Sequence, residues 1–288
     1  MTSTQSATNF GIDSFSFHRY FGETSRWELP SDISWRTEDF FDFVRAHKLN
    51  LITLQTAYLD YDDPATQSEI KNWIQDNYLA FTWGHPNGFD GGRNQQALAN
   101  ATLWLERSSE LGLDQMRIVL GNHLNYSQPA TERFELLREP LTKLVNRAQE
   151  LGVRLSIENH ADFNVPTLLE FIREINSPYL GLCFDLGNSF RVGDNLRELI
   201  EQIDTASIFM IQAKEIDQAL DNTPGEPIGW WPTVPFGTGK IDIGYQLNRL
   251  IERGFSGPIA IELSNLNSGL DEIEVAKAAI TYLRKNLR

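Results

Sequence analysis

Three apolar runs end in acidic side chains, where a buried strand would be expected to stay apolar. Residues 154–158 read RLSIE, 180–185 read LGLCFD and 258–263 read PIAIEL, so Glu158, Asp185 and Glu262 each follow a β-like run. A carboxylate entering an apolar interior is costly. If the three converge, two of them ~4 Å apart at an effective dielectric of ~20 repel by roughly 4 kcal/mol. Protons, basic partners or a cation must relieve that repulsion. Basic partners are scarce, because no arginine lies between Arg197 and Arg249, which leaves Lys214 and the histidines. One divalent cation is the simplest solution. Gln212 closes the run SIFMIQ (207–212) and has two roles open to it. Its amide oxygen is a fourth donor, or its amide hydrogen-bonds to Asp185 or Glu262. Donors this rich in oxygen suit Mg²⁺ or Mn²⁺ better than Zn²⁺, with Co²⁺ as a substitute. No motif asks for an organic cofactor.

The histidines follow the same pattern. His18 follows GIDSFSF (11–17), His85 follows YLAFTW (78–83), His123 follows MRIVLG (116–121), and His160 lies two residues past Glu158. Only His47, in FFDFVRAHKLN, falls in a helical stretch and is assigned to the surface. A lone histidine at a strand end is commonly a structural hydrogen-bonding group. Four at strand ends are harder to dismiss, since helix surfaces offer most of the chain to carry them.

The elements that must position these groups alternate. Eight short apolar runs (11–17, 49–55, 78–83, 116–121, 154–158, 180–185, 207–212, 258–263) are separated by stretches with apolar residues three and four apart, such as 40–47, 95–111, 134–151, 168–175, 195–203, 243–253 and 273–287. Gly112, Gly152 and Gly254 fall where left-handed helix caps belong. No hairpin signal intervenes, so the strands are parallel with helical crossovers. Eight such units imply an α/β protein, a single (β/α)₈ TIM barrel over residues 1–288, whose active-site mouth is ringed by the C-terminal ends of the strands. A doubly wound sheet is the rival, weakened by the lack of a Gly-x-Gly-x-x-Gly turn. The one long irregular stretch is 214–240, with Trp230 and Trp231 among four prolines. It reads as a folded loop over the C-terminal mouth, or as aromatics packed against the barrel helices.

Composition bounds the partners. The 288 residues are 41% hydrophobic, enough for a sizeable core, and carry a formal charge of −14. Such a surface is repelled by phosphate backbones and anionic bilayers, so neither nucleic acid nor membrane is an expected partner. The single cysteine, Cys183, sits in an apolar run and reads as a buried inert thiol. The polar start MTSTQSATNF has no apolar signal region, and no run is long enough to span a bilayer. These features suit a cytoplasmic protein.

The motifs IENHADF, GLCFDLGNSF, FMIQAKE and FGTGKIDIGYQLNRLIERGFSGPIAIEL, with GIDSFSFHRYF at the start, resemble the xylose isomerase-like TIM-barrel superfamily over nearly the whole chain. That group includes sugar isomerases and ketose 3-epimerases as well as endonuclease IV-type enzymes. The resemblance implies one divalent metal on Glu158, Asp185, Gln212 and Glu262, with Gln212 standing where histidine is usual. Asn188 stands where ketose epimerases commonly place a substrate-contacting histidine, and only Lys214 is near where they carry an arginine. The implied activity is isomerisation or epimerisation of a small keto sugar through a metal-stabilised enediolate, with Glu158 and Glu262 as the acid–base pair. The alternative is a decarboxylase or dehydratase, a lyase acting on a keto sugar acid through the same enediolate. His160 would join the catalytic acids, and His18, His85, His123, Asn188, Lys214, Trp230 and Trp231 would hold the small carbohydrate substrate. Asn188, Gln212 and the acidic surface count against an endonuclease IV-type repair enzyme, and a non-enzymatic barrel is the remaining reading. The resemblance also leaves room for a homo-oligomer.

Overall fold

The computed structural model describes residues 9–25, 27–94, 96–217, 227–229, 231–266 and 269–287. Eight parallel strands close a barrel in chain order: β1 (Phe10–Asp13), β2 (Leu51–Gln55), β3 (Tyr78–Trp83), β4 (Gln115–Val119), β5 (Arg154–Glu158), β6 (Leu180–Asp185), β7 (Ile208–Ala213) and β8 (Ile259–Ile261). β8 pairs back onto β1, with Phe10 opposite Ile259 and Ile12 opposite Ile261. The helices are α1 (Thr37–Ala46), α2 (Pro64–Trp73), α3 (Ala97–Glu110), α4 (Ala130–Leu151), α5 (Val165–Ile175), α6 (Leu186–Arg191), α7 (Leu196–Gln202), α8 (Ile243–Glu252) and α9 (Glu272–Asn286). This is a single (β/α)₈ barrel, as the alternation of periods implies.

Strand alternation divides the interior into two zones. Residues such as Leu155, Ile157, Leu182 and Phe184 join the large core between barrel and helices. Their neighbours in sequence fill the barrel itself, where the small cluster of Ala80, Cys183 and Met210 lies apart from that core. Beyond it, polar residues at the C-terminal ends of the strands meet across the barrel. The strands therefore spend one face on stability and the other on a polar site.

Several expected boundaries shift for local reasons. β1 stops at Asp13 instead of running through Phe17, because the Asp13 carboxylate accepts the Phe15 N–H at 2.7 Å and starts a tight turn over Ser14–Phe17. α2 appears where the sequence is too polar to show a stripe; Asp63 caps it and Pro64 is its first residue. Gly112, Gly152 and Gly254 do follow helices at φ 75°, 71° and 102°.

The stretch 214–240 is described only in part, and Trp230 lies outside the described residues. Its two ends are stitched to the barrel. Ile216 pairs with Thr233, Thr233 pairs with Leu266, and the buried Glu215 carboxylate accepts the Ile241 N–H at 2.8 Å. Trp231 is buried against Phe190 of α6, ring centroids 6.2 Å apart, so this aromatic packs on a helix. Among the described residues no helix is long and apolar enough to cross a membrane.

Candidate metal and acid–base centre

Register brings the acids together. Val119 lies opposite Glu158, Cys183 opposite Glu158, and Asp185 opposite Gln212, so the ends of β4 to β7 form one rim. Glu262 immediately follows β8 and its N–H bonds to Ala213 O at 3.0 Å, which brings it beside Gln212. Glu158, Asp185 and Glu262 are all buried and offer oxygens within 4.8 Å of one another.

Two internal cations meet these acids. Lys214 Nζ lies 2.8 Å from Asp185 Oδ2 and 2.5 Å from Glu262 Oε1. Arg117 Nε lies 3.1 Å from Glu158 Oε2. The sequence-based expectation of scarce basic partners is thereby corrected: Arg117 reaches the centre from β4, far from the stretch without arginine. Its embedding in the apolar run MRIVLG is the signal that could have found it, since an arginine inside a buried strand needs a partner. Asp13 joins from β1, bonded by Thr53 Oγ1 at 2.5 Å. Four buried carboxylates thus face two cations, and full ionisation would leave two negative charges uncompensated.

The ionisation of the centre reflects this excess. Burial raises Asp185 to about 7, helped by the charges of Glu262 and Glu158 against the pull of Lys214. Burial and then Glu262 raise Asp13 to about 7. Glu158 is raised by burial despite Arg117. Glu262 is lowered: burial opposes this, but Lys214 and Arg117 outweigh it. Lys214 is raised, because Asp185 and Glu262 outweigh its burial.

The donor set fits a divalent cation. Three carboxylates converge, they outnumber the cations that meet them once Asp13 is counted, and Glu158 Oε2 and Asp185 Oδ2 are buried with only Arg117 and Lys214 as partners among the described residues. Lys214 lies on the same carboxylate edge, so a cation and the ammonium compete for it. Gln212 donates its amide N–H to Glu262 Oε2 and accepts from the Cys183 thiol at 3.3 Å. In this geometry it performs the hydrogen-bonding role of the two open to it. Asn188 donates to Glu158 Oε1 at 3.0 Å, and its backbone N–H donates at 2.7 Å to Asp185 Oδ1, the side chain that caps α6.

A cleft of about 210 Å³ opens above these groups, lined by His18, His85, His123, His160, Asn188 and Lys214 among others. His160 Nε2 is 4.0 Å from Glu158 Oε1, and its Nδ1 meets Gly121 O at 2.9 Å. Burial and the charge of His85 press His160 down to about 3, so it is neutral. His85 pairs with Glu23 at 2.6 Å, and Tyr58 donates to the other Glu23 oxygen at 2.6 Å. His18 spends both ring nitrogens, on Phe15 O at 2.9 Å and on Glu28 at 2.9 Å. Glu23 and Glu28, which carry no strand signature, are the site-edge acids that sequence reasoning missed. Trp231 does not line this cleft. A larger cleft, about 500 Å³, opens at the opposite end of the barrel near Tyr78 and Arg154 and reaches none of the carboxylates.

Known proteins share this architecture. The family model for xylose isomerase-like TIM barrels matches residues 39–286. Inosose isomerase of Bacillus subtilis is 30% identical over 135 residues, covering 43% of this chain and 44% of that protein. L-ribulose-5-phosphate 3-epimerase of Escherichia coli O157:H7 is 25% identical over 177 residues, 60% of this chain and 58% of that one. The chain spans about half the length of the curated relatives it matches. Two solved structures show the same fold across almost the entire chain. One, the IOLI protein with a bound zinc atom, has a TM-score of 0.72 at 18% identity, covering 97% of this chain and 98% of that one. The other, a Mycobacterium smegmatis protein in complex with magnesium, has a TM-score of 0.70 at 15% identity, covering 99% and 98%.

Proposed function

We propose, from the premise that this chain belongs to the xylose isomerase-like TIM-barrel family, that it is a metal-dependent isomerase or epimerase of a small keto sugar or sugar derivative. The observation that carries the reading is the convergence of Glu158, Asp185 and Glu262 within 4.8 Å, with buried Asp13 beside them, so that four carboxylates face only Arg117 and Lys214. Glu158, Asp185 and Glu262 would hold one Mn²⁺ or Mg²⁺, with Co²⁺ able to substitute and Gln212 either turning to join them or staying on Glu262. A cation there supplies Lewis-acid polarisation of a substrate carbonyl and so lowers the cost of enolising the neighbouring C–H.

The chain's own residues move the proton. Glu158 and Glu262 approach from separate strands, so one removes a proton and the other returns it to the opposite face, which gives epimerisation. Return to the neighbouring carbon gives ketose–aldose isomerisation. Asn188 and Arg117 fix the Glu158 carboxylate, and Lys214 and Gln212 fix Glu262. Lys214 also lines the cleft, where its ammonium steadies negative charge on a substrate oxygen. Neutral His160, 4.0 Å from Glu158, is a hydrogen-bonding group beside the reacting carboxylate. The substrate is a small carbohydrate, and the reading suits a cytoplasmic enzyme, alone or as a homo-oligomer.

The four histidines around the cleft favour a second reading, in which they hold a keto sugar acid or supply the acid for loss of water or carbon dioxide. Incubating Mn²⁺-loaded protein with a panel of keto sugars and keto sugar acids in D₂O separates the two. Deuterium entering the product without other mass change is the expected result. Loss of water or carbon dioxide points to the lyase, and no reaction across the panel overturns both. Glu158→Gln is expected to abolish turnover while leaving a folded barrel.

A further inference from the structure

Arg191 is the last residue of α6, the helix that starts at Asp185, and it lines the same cleft as Lys214 and Asn188. Its Nε donates to Pro227 O at 2.5 Å and its Nη2 to Gly229 O at 3.3 Å. Those two carbonyls lock the plane of the guanidinium, but they carry no charge. Among the described residues no carboxylate pairs with it. Other basic groups around the cleft are treated differently: Lys214 has Asp185 and Glu262, His18 has Glu28, and His85 has Glu23. Burial presses Arg191 down to about 10, which still leaves it fully charged near neutrality. Asp185 acts on this cation only through space, without an ion-pair contact, and a largely desolvated, oriented cation so weakly compensated among the described residues is costly unless something pairs with it. A guanidinium fork presents its remaining N–H groups in the geometry that carboxylates and phosphates accept.

Distance then places the partner. At 1.5 Å per residue, Arg191 stands roughly 9 Å along α6 from Asp185. That is a backbone separation, and the cleft that Arg191 shares with Glu262 and Lys214 gives a substrate of several carbons room to reach from the carboxylates towards the guanidinium.

We propose that Arg191 anchors an anionic group, a carboxylate or a phosphate, at the end of the substrate remote from Glu158, Asp185 and Glu262, so that the substrate is a sugar acid or sugar phosphate and not a neutral sugar. This rests on the function proposed above for the same cleft. The test is calorimetric titration of Mn²⁺-loaded protein with D-ribonate, inorganic phosphate and neutral ribitol, for wild type, Arg191→Met and Arg191→Lys. Arg191→Met is expected to weaken ribonate or phosphate by roughly tenfold or more while ribitol is unaffected. Arg191→Lys recovers part of that loss, which separates charge from packing. The anion that suffers identifies the source as carboxylate or phosphate. Equal anion affinity in wild type and Arg191→Met, or no anion binding by wild type, overturns the proposal. Failure of the isomerase reading shows itself separately, as no deuterium exchange with any keto sugar, and leaves the titration comparison intact.

Discussion

At the scale of single residues, Lys214 is the pivot. Its ammonium bridges Asp185 and Glu262, and it shares their edge with any bound cation. Removing one member of a buried ionic cluster costs about 3–5 kcal/mol, because the partners are left uncompensated. Lys214→Met is therefore expected to lower the melting temperature in chelator and to raise Mn²⁺ affinity at least about tenfold, since the metal no longer competes with an internal cation. Melting curves with and without chelator, plus a Mn²⁺ titration, check both halves. Unchanged Mn²⁺ affinity would remove Lys214 from the cation's seat. Arg117 plays the quieter part, since it lies among Asp13, Glu158 and Glu262 and sets how much charge is left over.

Among the elements, the strand ends matter most, and tight strand packing keeps them in place. A side chain on Gly11 would put its Cβ 1.7 Å from Leu51 O, a backbone atom that cannot swing away. Gly11→Ala is expected to force β1 off β2 and cost about 3 kcal/mol or more, read as a lower urea midpoint. A midpoint equal to wild type would mean that β1 has slack. The same elements show how far the sequence could be read. β3, β5 and β6 begin and end where their apolar runs do, β3 between Asn77 and Gly84 and the other two at their terminal acids Glu158 and Asp185. β1 was harder, since SFSF keeps alternating while the Asp13 side chain turns the backbone. α2 was invisible because PATQSEIKNW buries only Thr66, Ile70 and Trp73, too few for a stripe. The three acids were legible as interruptions of apolar strands. Arg117 and Asp13 interrupt strands in the same way, but their partners lie on other strands and appear only when the barrel closes.

At the scale of the whole molecule, excess negative charge links stability to pH and to metal. Asp13, Asp162 and Asp185 titrate at about 7 in the folded protein, mainly through burial, against a normal value of 3.8. The folded state therefore binds more protons than the unfolded chain between those values. That part of the stability is present at low pH and is lost as pH rises towards 7. Glu262 is shifted the other way, but its effect lies below its ordinary value of 4.5; His160, held at about 3 against 6.5, opposes the fall over the same range, one group against three. In chelator, the melting temperature is expected to fall from pH 5 to pH 7.5, and Mn²⁺ is expected to shrink that fall by holding Asp185 ionised. A chelated protein whose stability rises over that range would contradict the charge excess.

The central claim is that Glu158, Asp185 and Glu262 share one divalent cation. Anomalous diffraction at the manganese edge, from crystals grown with Mn²⁺, tests it most directly. The expected result is a single strong peak in contact with oxygens of all three carboxylates, with Lys214 Nζ moved off the shared edge. A map with no peak there, and Lys214 still bridging Asp185 and Glu262, would contradict it.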